Sequence, residues 1–279
     1  PTPAPVTIAR SALKQRLGEE AQDHGLVADD LMLLDSFVRA GELVVVTGAD
    51  ADLALEAYAR AVAGARIYNH PLDPATLGAD DLWRTVSTHS PTAFAQAWHT
   101  AATHPEQTVL ICLRSIDASP ARLWVPSLAT FLADPGRPPN LLVVATATRT
   151  RDAGADVSEP RTTLRHHAVG FRPRARTGGA TCQAALGGAL RTPTLLRSEP
   201  RQPGSPDLSA LRAIAAKGVS PTIVRRVVRV LPTLAEQLGP IAPGLAAEWA
   251  SSLNSGEPSG LPAPVVDGYA DLYTLDPHP

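Results

Sequence analysis

Apolar positions in this chain fall into two kinds of pattern. Three short runs are apolar almost without interruption and rich in β-branched residues: LVVV (43–46), TVLICL (108–113) and LLVVATA (141–147). Runs of strand length without polar alternation suit a sheet covered on both faces, as in parallel α/β architectures. Around them, apolar residues recur at helical spacing. Residues 9–24 place Ala12, Leu13 and Leu17 on one side. The next stretch, VADDLMLLDSFVRAG, carries Leu31, Leu33, Leu34, Phe37 and Val38 and is closed by Gly41. Further helices are predicted over 51–63, over 90–104 with Ser90 as N-cap and Pro91 in the first turn, and over 120–134. The alternation of strand and helix predicts a layered α/β domain over residues 25–172.

Beyond this stretch the pattern changes. Residues 173–207 are rich in Gly, Pro and Arg and read as a linker with room for one short helix. Helical periodicity returns in DLSALRAIAAKG, in SPTIVRRVVRVLPTLAEQLG and in GLAAEWASSLN. The second of these has an apolar stripe of Ile223, Val227, Val230, Leu234 and Leu238, and the set predicts a small helical lid domain over 208–279. The proline-rich start, PTPAPVTI, reads as a linker leading into the helix that completes an N-terminal segment 1–24. It suggests a piece of a longer protein. No internal repeat is present.

Composition narrows the class without naming a chemistry. With 279 residues, 44% apolar and 19% charged, the chain can bury a large core and is not compositionally disordered. A net charge of −2 provides no global field toward nucleic acid or acidic membranes. Lys14 and Lys217 are the only lysines, so arginine supplies nearly all positive charge, as expected from a GC-rich genome. Cys112 and Cys182 are too few and too far apart for a disulfide framework or zinc site, and Cys112 inside TVLICL reads as a small buried hydrophobe. No apolar run is long enough to span a bilayer, and no leader pattern opens the chain; the expectation is a cytoplasmic protein.

The first apolar run continues as TGADADLALEAYARAVAG, the outline of a strand, phosphate-binding loop and helix. Such a loop needs a second glycine so that backbone N–H groups can wrap phosphates, a lysine for the outer phosphates, and a Ser or Thr hydroxyl for magnesium. After Gly48 this chain offers Ala49, Asp50, Ala51, Asp52, Leu53 and Ala54 instead. Asp50 and Asp52 would repel a triphosphate, while at a helix start they favour the dipole and the cap. The second apolar run should end in an acidic pair if it served a nucleotide site; it ends in Arg114 and Ser115, with Asp117 two residues on. Asp117 and Ser119 read as caps of the helix starting near Pro120, and Asp80 and Asp81 as helix-capping carboxylates. His166 and His167 point to opposite faces of an extended segment and read as surface or linker residues.

The order of these pieces resembles an AAA+ domain of the MoxR/McrB type over residues 25–275. LMLLDSFVRAGELVVVTG resembles the approach to that family's Walker A loop, and TVLICLRSIDASPARLWVPSLATFLAD its Walker B segment. RPPNLLVVATAT resembles the sensor-one strand, VSEPRTTLRHHAVGF the arginine-finger segment, and RVLPTLAEQLG and DGYADLY the C-terminal motifs. The resemblance implies a P-loop NTPase-like layered parallel sheet followed by a helical lid. Position by position, almost every catalytic group is replaced: Asp50 to Leu53 stand at the glycine-lysine region and Arg114 with Ser115 at the acidic pair. Thr148 stands at the sensor asparagine, and Arg165, preceded by Leu164, is the one counterpart of an arginine finger. The expectation is therefore an inactive pseudo-NTPase domain without a cofactor, binding a protein partner or an AAA+-like oligomer, in a DNA-directed restriction or defence system. Two alternatives stay open: a divergent motor using ATP or GTP with magnesium, and a nucleic-acid module in which Arg212, Arg225, Arg226 and Arg229 meet phosphates. No aromatic residue interleaves with those arginines, so a solvated helix face is the simpler expectation for them.

Overall fold

In the computed structural model, residues 6–147 except Val86, 166–176, 196–198, and 208–255 except Lys217 are described. A five-stranded, all-parallel sheet lies at the centre: β2 (Leu43–Val46), β3 (Tyr68–Pro71), β4 (Val109–Arg114), β5 (Leu141–Thr146) and β6 (Ala168–Phe171), in the order β3-β4-β5-β2-β6. The apolar runs divide by parity, as pleating requires. Val44, Val46, Leu110, Cys112, Leu142, Val144, Val169 and Phe171 enter one hydrophobic core. Leu43, Val45, Val109, Ile111, Leu113, Leu141, Val143, Ala145 and Ala168 enter the other. Each face is covered by helices, which explains why these strands carry no polar alternation.

Helices α1 (Arg10–Asp23), α2 (Ala28–Arg39) and α3 (Ala51–Ala63) pack on the first face, and α4 (Ala93–Thr103) and α5 (Ala121–Ala133) on the second. α3 ends where expected, at Gly64 in the left-handed conformation. The start of α4 differs from expectation: Thr92, not Ser90, is the N-cap, accepting from Ala95 N at 3.2 Å while its own hydroxyl donates to the Leu82 carbonyl. Asp81 caps as expected, its Oδ2 accepting from Leu77 N and Gly78 N at 2.9 Å each. A separate two-stranded parallel pair joins β1 (Val6–Ile8) to β7 (Leu196–Ser198), placing a strand where a linker was expected at each.

The C-terminal helices α6 (Leu208–Ala215), α7 (Pro221–Leu238) and α8 (Ala242–Ser255) follow the expected pattern, with Ser220 capping α7. They do not build a core of their own. Ile214, Ile223, Val227, Val230, Leu234, Trp249 and Leu253 join the same cluster as α1, α2 and α3. The predicted stripe of α7 therefore finds its partner on α2, and Trp249 packs edge-on against Phe37 with ring centroids 5.0 Å apart. Polar contacts seal the same seam. Asp35, fully buried, accepts from Arg39 Nε (2.7 and 2.9 Å), Tyr58 Oη (3.0 Å) and Gln237 Nε2 (2.8 Å). Among the described residues, no helix is long and apolar enough to cross a membrane.

Candidate functional site

The chain leaves β2, builds β3, β4 and β5 on one side of it, and crosses to β6 on the other. The C-terminal end of β2 is thus a topological switch point, where open α/β sheets leave a crevice that binds ligands. The residues singled out around the first loop meet there. Thr47 extends the ladder by donating its N–H to Phe171 O at 2.8 Å. Gly48 then turns at φ +91°, and Ala51 N donates to Gly48 O at 3.2 Å, so residues 48–51 form one tight turn that leads straight into α3. A side chain at 48 would sit 3.2 Å from Arg172 Cγ and 3.3 Å from its Nε. Arg172, directly after β6, therefore lies across the loop. No feature of the sequence pattern pointed to it.

Asp50 occupies the N-cap position of α3, yet its carboxylate makes no cap hydrogen bond. Asp52, expected to serve the helix start, instead pairs with Arg114 Nη1 at the end of β4, and Arg114 Nε donates to Asn69 Oδ1 at 2.8 Å. A carboxylate near the N-terminus of α3 still suits its dipole, but the specific partner is the guanidinium. Asp52 is 83% exposed and Arg114 32%, which limits the pair to the weak range of surface salt bridges. A double-mutant cycle of Asp52→Ala with Arg114→Ala is expected to return a coupling of about 0.2–1 kcal/mol, falling with added salt.

Ser115 follows at φ +58°, an uncommon conformation for a residue with a side chain, and its N–H donates to Thr146 Oγ1 at 3.2 Å. Ile116–Ala118 then form a short 3₁₀ turn that buries Asp117. The capping expected of Ser119 does not occur: α5 has Pro120 at its N-cap position, with no side-chain cap there. Ser119 Oγ instead donates to Ile116 O at 2.9 Å and accepts from Trp124 Nε1 at 3.2 Å, anchoring the largest side chain of that core. Thr146, Asn69 and Arg172 thus complete the site, and each needed a strand neighbour to be recognised. Thr148 and Arg165 lie outside the described residues.

The four arginines of the C-terminal helices do not gather at this end. Arg212 on α6 and Arg225 on α7 are exposed. Arg226 is buried and binds Glu42 Oε2 through Nε at 2.9 Å and through Nη2, and Arg229 pairs with Glu42 Oε1. Glu42 precedes β2, at the opposite end of the sheet. Two of the four side chains expected on a solvated or phosphate-facing surface are therefore turned inward. The reason is the burial of Glu42: desolvation alone would raise its pKa, but the two guanidiniums outweigh it and hold the carboxyl below its ordinary 4.5. Arg226 also lies 5.2 Å from the Trp249 ring centroid, a cation–π distance. His167 is pulled below its ordinary pKa by burial and by Arg226.

Cys112 is buried in the sheet as expected, and burial pushes its thiol up to about 11, which leaves it unreactive at neutral pH. Among the described residues, no group of three His, Cys, Asp or Glu side chains could hold a metal ion.

No protein-family model matches the chain, and comparison with curated proteins finds no relative. Among solved structures, the chain is similar to a candidate ATPase from Cytophaga hutchinsonii at 10% identity and a TM-score of 0.47, covering 85% of this chain and 86% of that one. A likeness of that size carries no weight for function, which has to be sought in the geometry at the end of β2.

Proposed function

We propose that the chain is a degenerate AAA+-like domain, an α/β core with C-terminal helices, that does not turn over nucleotide and serves as an assembly or regulatory subunit. The observation that carries this is the pairing of Asp52 with Arg114 across the switch point. A nucleotide site of this layout needs a cation facing phosphate after the first strand and a carboxylate facing magnesium after the other. Here the signs are exchanged, and the two side chains satisfy each other. The tight turn at 48–51 adds to this, because it has neither the length nor the glycines to wrap a phosphate, and Arg172 lies over Gly48. The role left for such a domain is to bind a protein partner or to sit as an inert protomer in an AAA+-like ring. A restriction or defence system is the setting the family resemblance suggests.

Calorimetry with ATP and GTP in the presence of magnesium tests this directly. The expected result is no binding up to millimolar nucleotide and no phosphate release. Micromolar binding would instead favour a divergent motor, and its loss in Arg172→Ala would identify Arg172 as the cation that replaces the loop lysine. The nucleic-acid alternative is left with Arg212 and Arg225 as its exposed cations, since Arg226 and Arg229 are engaged by Glu42.

A further inference from the structure

Helices α4 and α5 cover the second face of the sheet, and they differ from the first layer in charge. α1 carries Arg10, Lys14, Arg16, Glu19, Glu20 and Asp23 within 14 residues. α4, of 11 residues, has no Asp, Glu, Lys or Arg, and α5, of 13, has Arg122 alone. A helix that meets only water is ordinarily charged and polar on its outer face. Loss of charge together with exposed apolar side chains marks the core of a protein interface instead. α5 shows both. Four large apolar side chains are exposed among the described residues, and two of them lie on this helix, Leu123 at 57% and Phe131 at 43%. A third is Leu77, whose N–H donates to Asp81 Oδ2 in the 3₁₀ turn Ala79–Leu82, and that turn packs against α5.

The exposed positions of α5 form one stripe. Leu123, Ser127, Thr130 and Phe131 follow the spacing of a single helix face, while Trp124, Val125, Leu128 and Leu132 take the buried side. Thr130 Oγ1 donates back to Pro126 O at 3.0 Å, so its hydroxyl is already satisfied within the helix. The stripe is also balanced about its own middle. Leu123 and Phe131 stand on either side of Ser127 at equal spacing, and the exposed Arg122 and Asp134 mark the two ends of the helix with opposite charges.

A face of this kind fits a copy of itself. If two α5 helices meet antiparallel across a two-fold axis near Ser127, Leu123 of each lies against Phe131 of the other. The small Ser127 side chains allow close approach at the axis, and Arg122 of each comes toward Asp134 of the other. A parallel arrangement would set Arg122 beside Arg122 and Asp134 beside Asp134. A strongly charged partner of either sign would find no opposite charge along the stripe between them.

We infer that the outer face of α5 is a homodimer interface, formed by antiparallel pairing of α5 with α5 of a second copy of this chain about Ser127. This pairing gives the assembly role proposed above a partner, and it rests on no property of the switch point. A 13-residue helix is about 20 Å long, so the contact falls at the small end of stable interfaces and roughly micromolar association is expected.

Sedimentation equilibrium of the full chain between about 1 and 100 µM tests the pairing. The mass should rise toward twice the 29.2 kDa of one chain. Leu123→Asp and Phe131→Asp should each weaken association about tenfold or more. Both side chains are exposed, so circular dichroism of the dilute variants should match the unmodified chain. The direction of pairing is read from the charges: Arg122→Glu should weaken the dimer, and adding Asp134→Arg should recover part of the loss. Asp134 also accepts from Gly136 N at 2.6 Å, so its change is read only against Arg122→Glu. Ser127→Cys should join two copies by a disulfide on mild oxidation, beyond any cross-linking of the unmodified chain. A monomer throughout that range leaves the face to a different protein and overturns the self-pairing. A dimer indifferent to both apolar substitutions is built elsewhere and overturns the face, and no recovery in the charge-exchanged double variant overturns the antiparallel arrangement. Nucleotide calorimetry is a separate readout, so failure here is distinct from failure of the inert switch point.

Discussion

Replacing Glu42 with glutamine is expected to cost about 3–5 kcal/mol of folding stability, read as a large drop in the midpoint of denaturant unfolding. The carboxylate is buried beneath two guanidiniums, and removing its charge leaves Arg226 and Arg229 without compensation in a site that water reaches poorly. The effect is larger than that of cutting a surface pair such as Asp52–Arg114, because one side of a desolvated pair cannot be re-solvated. Glu42 also ties α7 to the start of β2, so its loss should loosen the C-terminal helices from the sheet, seen as faster amide exchange along α7. The pH dependence has a definite sign. The folded pKa lies below the ordinary 4.5, so between the two values the unfolded chain binds the extra proton. The stabilisation is whole above about pH 4.5 and is lost as the pH falls through the folded value. The unmodified chain should therefore lose stability on acidification over a range in which Glu42→Gln changes less. Equal acid sensitivity in both would count against this clamp.

Gly41→Ala is expected to be the next most damaging change, at about 2–5 kcal/mol from backbone strain together with overpacking. Gly41 holds φ +82°, and an added Cβ would stand 2.5 Å from the carbonyl oxygen of Leu132. Both obstacles are backbone, so no rotamer change relieves them. Gly48 offers the contrast. It too has positive φ, at +91°, but the atoms an added Cβ would meet belong to the Arg172 side chain, which can swing away. Gly239, at φ +62°, has nothing within 4 Å of the same position. The unfolding midpoints should accordingly rank Gly41→Ala well below Gly48→Ala and Gly239→Ala, the last two losing about 1–2 kcal/mol each. Equal losses at all three would show that α5 yields to the added methyl.

Much of the layered core was legible because burial on both faces of a parallel strand leaves a local signature, an apolar run bounded by turn residues. LVVV became β2 with the expected bounds, and the other two runs became β4 and β5 within a residue at each end. Helix α3 likewise matches its predicted span, since its apolar spacing and Gly64 are both local signals. β3 and β6 had no such signature. YNHP lies on the edge of the sheet with alternate residues open to solvent and a proline at its end, as an edge strand allows. AVGF is short and gains its place only by pairing with β2.

The sequence by itself determined the class of the core, the exchange of charges at the first loop, and the absence there of a lysine and second glycine. These are properties of residue type and local order. Only the tertiary structure decided which charges meet. The polar spacing of Arg225, Arg226 and Arg229 is the same whether a helix face meets solvent or a buried carboxylate, and Arg226 finds its partner 184 residues away. Asp52 resembles a helix-start carboxylate until β4 brings Arg114 beside it, and Arg172 has no visible tie to Gly48 until β6 pairs with β2. Hydrophobic burial is written in the periodicity of each segment, whereas an ion pair or a close approach depends on two distant segments and is written in neither alone.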